Sequence, residues 1–151
     1  MRRSLVFAVL ALTACSKPET PAADSPAAAP GAATPAPLTD ADVGGTWEAE
    51  GRPMDRDTVV VRFTMNNTDT GEGTSIVFPS GVKVVSTSRQ ISGDSVVSES
   101  GRFKSQVRKG TDVMSTRMVL RLLDGKLVGV ATSKYANGDT ASFRITATKK
   151  P

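Results

Sequence analysis

The sequence predicts an all-β fold, a small antiparallel up-and-down barrel of about eight strands over residues 43–151. Three observations carry that reading. Short runs of Val, Thr, Ser and Phe are punctuated by Gly, Asn and Asp. Several runs alternate apolar and polar residues with period two. No stretch of ten residues combines helical periodicity with freedom from Gly and Pro. One apolar face on many short strands favours closure, because closure removes exposed sheet edges without disulfides.

Taken in order, the domain opens at Gly44-Gly45-Thr46-Trp47, after a brief turn at Thr39-Asp40-Ala41-Asp42 fit to cap one end. Thr58–Met65 alternates, with Val59, Val61, Phe63 and Met65 on one face and Arg62 and Thr64 on the other. A polar loop follows from Asn66 to Gly73. Strands are then expected at Thr74–Phe78, Val82–Thr87, Ser95–Glu99 and Arg102–Arg108. In the last of these, Phe103, Ser105 and Val107 oppose Arg102, Lys104, Gln106 and Arg108. The longest strand is Val113–Leu123.

Two turns near the end fix a register. Asp124-Gly125 is a strong two-residue hairpin signal, and it pairs Leu122 with Leu127, Leu120 with Gly129 and Met118 with Ala131. Met114, Thr116, Met118, Leu120 and Leu122 then face inward, with Arg117, Arg121, Val128 and Val130 outward. A two-residue turn at Asn137-Gly138 would send Phe143 to solvent. A three-residue loop, Ala136-Asn137-Gly138, keeps Phe143 and Ile145 inside, opposite Ala131 and Gly129.

The amino terminus has a different character. Arg2 and Arg3 precede the apolar run Leu5–Leu12, the pattern of an export signal. Eight apolar residues rise only about 12 Å as a helix, too little to span a bilayer. The run ends in Leu12-Thr13-Ala14-Cys15, which resembles the lipobox of bacterial lipoproteins. That resemblance implies cleavage of residues 1–14, a diacylglyceryl group on the Cys15 thiol and an acylated new amino terminus, which together anchor stably where one chain is marginal. Ser16 in place of Asp implies an outer-membrane destination facing the periplasm in a two-membrane cell.

Residues 15–42 then read as a lipid anchor and a disordered tether. Pro18 to Pro37 holds six of the nine prolines and eight alanines, a composition that neither buries a core nor continues a helix. As a flexible coil it spans about 30 Å. Residues 43–151 carry 16 Lys/Arg against 11 Asp/Glu, a bias toward anionic surfaces rather than a binding site.

Absences narrow the chemistry. The chain has no histidine, and its one cysteine is committed to lipid. Ser-His-Asp and Cys-His nucleophiles, His or Cys metal sites and disulfides are thereby excluded. No catalytic residues, no metal and no cofactor are expected, so the domain is read as non-enzymatic. Glu48 and Glu50 share a face but suit a solvated exterior. Asn67–Glu72 lacks the ligand pattern of a calcium loop, and Gly71-Glu72-Gly73-Thr74-Ser75 lacks the Gly-Lys of a phosphate loop. Arg102, Lys104, Arg108 and Lys109 are basic without interleaved aromatics, so nucleic acid is not an expected partner.

Gly45-Thr46-Trp47 on the first strand resembles the Gly-x-Trp motif of lipocalins and the wider calycin group, avidins included. Residues 43–151 are also similar to lipocalin-like domains of bacterial lipoproteins. The resemblance implies that Trp47, with Gly45, plugs the closed end of a barrel whose interior takes a small apolar or amphipathic ligand. Phe103, Ser105, Met114, Thr116, Met118, Ser133 and Phe143 are the expected lining, the hydroxyls serving to orient a ligand. A second class stays open at this point: an envelope interaction or structural module with a filled barrel and an exterior protein-binding face.

Overall fold

The computed structural model describes residues 37–71 and 73–151. The export signal, Cys15 and most of the tether lie outside them. A short helix α1 (Asp40–Val43) leads into nine strands: β1 (Gly45–Pro53), β2 (Val61–Asn67), β3 (Thr74–Val77), β4 (Lys83–Ser92), β5 (Ser95–Ser100), β6 (Phe103–Lys104), β7 (Asp112–Leu123), β8 (Lys126–Tyr135) and β9 (Thr140–Lys149). Every pairing is antiparallel. Sequential neighbours pair from β1 to β5 and from β7 to β9, while β1 pairs with β9 and β5 with β7. Eight strands thus close into an up-and-down barrel, with the two-residue β6 laid against the start of β7.

The turns at the end of the chain behave as their residues dictate. Asp124 and Gly125 both adopt positive φ, 49° and 72°, the conformation a two-residue hairpin needs to match strand twist. Leu122 faces Leu127, Leu120 faces Gly129 and Met118 faces Ala131. The next loop holds three residues, with Gly138 at φ 89° and Tyr135 N donating to Asp139 O at 2.8 Å. Ala131 therefore faces Phe143 and Gly129 faces Ile145. Leu120, Leu127, Phe143 and Ile145 are buried and Leu122 packs against them, whereas Arg117, Arg121 and Val130 are exposed.

Three expectations are corrected. Met114 does not face inward but is 44% exposed. The β7–β8 register shifts between Val113 and Ser115, a bulge that inserts one residue and reverses the alternation. Val113 and Thr116 consequently both face inward, although they lie three apart. Arg102–Arg108 is not a continuous strand, because only Phe103 and Lys104 pair with β7. The Ser105 hydroxyl accepts from the amides of Val107 and Arg108 at 3.2 and 2.8 Å and turns the chain away from the sheet. Finally, β2 starts at Val61, and Val60 rather than Val59 joins the core.

Candidate functional site

The two ends of the barrel differ. At one end Trp47 is only 1% exposed, and its indole Nε1 donates to the Val43 carbonyl at 2.9 Å. The same carbonyl accepts from Asn67 Nδ2 at 2.8 Å, so α1 lies across this end as a plug. Thr39 caps α1 in a reciprocal capping box with Asp42. Arg89 is almost wholly buried beneath the helix, 2.8 Å from Asp40 Oδ1 and donating to Thr68 O. Gly45 sits at φ 99°, a left-handed geometry that explains glycine two residues before Trp47. The described chain enters at this closed end, where Leu38 N donates to Gly93 O.

The opposite end holds a cavity of about 70 Å³. Its floor is Met118, Ala131, Phe143 and Ile145, and its wall is Phe63, Phe78 and Phe103. The Phe78 ring stacks on Phe103 at 6.0 Å between centroids and lies tilted at 5.8 Å from Phe63. Of the residues expected from sequence to line the interior, Phe103, Ser105, Thr116, Met118, Ser133 and Phe143 all border this cavity. Met114 does not, for the bulge turns it outward.

Sequence reasoning missed Ser100, Tyr135 and the lid. Tyr135 ends β8 and is buried against the cavity. Residues 105–110 fold over the mouth, bringing Gln106 and Val107 to its rim, with Val107 38% exposed. Gln106 bridges the opening: its Oε1 accepts from Ser80 Oγ at 2.6 Å, and its Nε2 donates to Lys104 O at 2.9 Å. Arg108 lies 4.3 Å from the Tyr135 ring centroid and pairs with Asp139 at 2.9 Å. Asp112 takes Lys104 Nζ at 2.6 Å and Arg102 on its other side.

These acids make the lid sensitive to strong acid. Hydrogen bonds from Lys104 and then Arg102 hold the Asp112 carboxyl below the usual carboxylate range, and Asn137 and then Arg108 do the same for Asp139. A carboxyl lowered in the folded state stabilises above its unfolded pKa, and that contribution is lost as pH falls through the lowered value. Protection of the 105–111 amides against hydrogen exchange, corrected for intrinsic rate, should therefore fall below that range before the barrel strands lose theirs. Parallel loss in lid and strands would contradict the assignment.

The site offers an apolar chamber with hydroxyls and, among the described residues, no charge at its wall. It holds about half the volume of an engineered cavity that takes benzene, and far less than drug-sized pockets of about 300–1,000 Å³. A long acyl chain does not fit with the lid in place. Comparison with protein-family models, with curated proteins and with solved structures finds no match to this chain.

Proposed function

We propose that this protein is a lipid-anchored envelope lipoprotein whose calycin-like barrel binds a small, mainly apolar molecule at its open end, without catalysing a reaction. The observation that carries the reading is the chamber itself. Phenylalanines, Met118 and Ile145 surround unfilled space at one end, while Trp47 and α1 fill the other. A barrel evolved only as a scaffold gains stability by filling such space, because a void forfeits contacts on every wall. The open chamber thus favours the binder over a filled interaction module. The ligand class narrows to compact molecules or short chains, in place of the larger amphipathic ligands that a roomy calycin cup would take.

Titrating the protein with cyclopentane while following side-chain methyl resonances tests this. Saturable shifts are expected at Met118, Val113 and Ile145. Shifts confined to exposed Met54, Leu123 and Val85 would refute it.

Anchoring rests on Arg2-Arg3, the apolar run and Leu12-Thr13-Ala14-Cys15. The Cys15→Ser protein should leave the membrane fraction and take up no labelled fatty acid, with its domain still folded. Label on that variant would overturn the anchor.

A further inference from the structure

We infer that the cavity selects a neutral hydrogen-bonding group on its ligand, an alcohol or a carbonyl, and rejects a carboxylate. This inference rests on the binding function proposed above and names the ligand class of the same site. Ser100, Thr116 and Ser133 occupy one rung on three consecutive strands: Ser100 is paired with Thr116 across β5–β7, and Thr116 with Ser133 across β7–β8. All three border the cavity. Ser100 and Ser133 are 5% and 7% exposed, so bulk water is largely excluded from them. On the adjacent rung of β7–β9 stand Met118, Ala131 and Phe143, which carry no polar side-chain atom.

The Thr116 and Ser133 hydroxyls share one hydrogen bond at 2.8 Å, which uses one of their two protons. The other proton has no side-chain acceptor of its own among the described residues, on a hydroxyl that borders the chamber. The Ser100 hydroxyl finds no side-chain partner among the described residues and brings both a donor and acceptor lone pairs. A hydroxyl that borders the chamber without a protein partner is completed by a polar ligand atom or by water. Among the described residues, no Lys, Arg, Asp or Glu lines the chamber. Arg108 of the lid, which lies over the cavity-lining Tyr135, is engaged by Asp139 and the Tyr135 ring. An anion entering here would lose its hydration without gaining a counter-charge, whereas a hydroxyl or carbonyl would complete the rung.

Three probes of similar size separate the possibilities: cyclopentane, 1-butanol and butanoate, each titrated into the full-length protein and read at the Met118 methyl. 1-Butanol should bind at least about tenfold more tightly than butanoate. Replacing the pair with Thr116→Val and Ser133→Ala should weaken 1-butanol about tenfold relative to cyclopentane, the apolar probe of the same chamber. Ser100→Ala, a smaller change at one unpaired hydroxyl, should weaken 1-butanol in the same direction if the double variant fails to fold. Equal binding of 1-butanol and butanoate, or undiminished 1-butanol binding by the variants, would overturn the inference while cyclopentane binding upholds the site. No saturable shift with any probe would remove the proposed binding function, and this inference with it.

Discussion

Gly129→Ala should destabilise the barrel by about 3 kcal/mol or more, although alanine is the better strand residue. Propensity alone points the other way, since glycine inside a strand costs roughly 0.5–1 kcal/mol relative to alanine. Space decides the sign. A Cβ on Gly129 would meet the Val119 carbonyl oxygen at 2.0 Å and Leu120 Cα at 3.0 Å. These are backbone atoms of the paired strand, so no rotamer change relieves the contact and the β7–β8 ladder must shift. Gly129→Leu should be worse, since Leu120 and Ile145 already occupy the interior around it. Gly101→Ala is the control, because its Cβ would meet only the Thr87 methyl at an ordinary 3.7 Å. Chemical melts of the two alanine variants measure the difference. Equal midpoints would show that the tight β7–β8 approach at Gly129 does not exist in solution.

Trp47→Ala should cost about 3–5 kcal/mol, the range for emptying a large aromatic site that cannot collapse. The side chain is among the largest fully buried ones, and its indole proton satisfies a carbonyl at the end of α1. Its ring also lies beneath Lys149 Nζ, 5.4 Å from the centroid. Trp47→Phe separates the contributions, keeping most of the volume while leaving the Val43 carbonyl with Asn67 as its remaining side-chain donor. That variant should lose only about 1–2 kcal/mol, and amide exchange across residues 38–44 should quicken more than in the strands. A Trp47→Ala protein as stable as wild type would mean that the plug contributes nothing to the fold.

The legible part of this fold is the part written in turn chemistry. Asp124-Gly125 and Ala136-Asn137-Gly138 demand particular loop lengths, and parity then places Leu120, Leu122, Leu127, Phe143 and Ile145 without further information. Met114 escaped because parity counts residues, and a bulge adds one without a sequence mark of its own. Arg102–Arg108 alternates as well as any true strand, yet the Ser105 hydroxyl captures two amides that a strand would have used for pairing. Competition of that local kind is invisible to a period-two pattern.

The site followed the same division. Thr116, Met118, Ser133 and Phe143 were placed through the two hairpins, and all four border the cavity. Ser100 was not, because its neighbour Thr116 is reached by a β5–β7 pairing that skips over β6 and the lid. No turn links those strands directly, so nothing local in the sequence sets their register. The cost of open edges favours closure of the barrel, and the β5–β7 and β1–β9 ladders are the two pairings that realise it.

The proposed binding function puts a small apolar molecule in the barrel at the end opposite Trp47. A crystal of the protein equilibrated under xenon pressure tests it most directly, because xenon enters dry apolar chambers and is located by its own scattering. One dominant xenon site is expected in contact with Phe78, Phe103, Met118 and Phe143, with none at the Trp47 end. Xenon absent from that chamber, or bound only on the outer face beside Val119, Val128 and Val130, would contradict it.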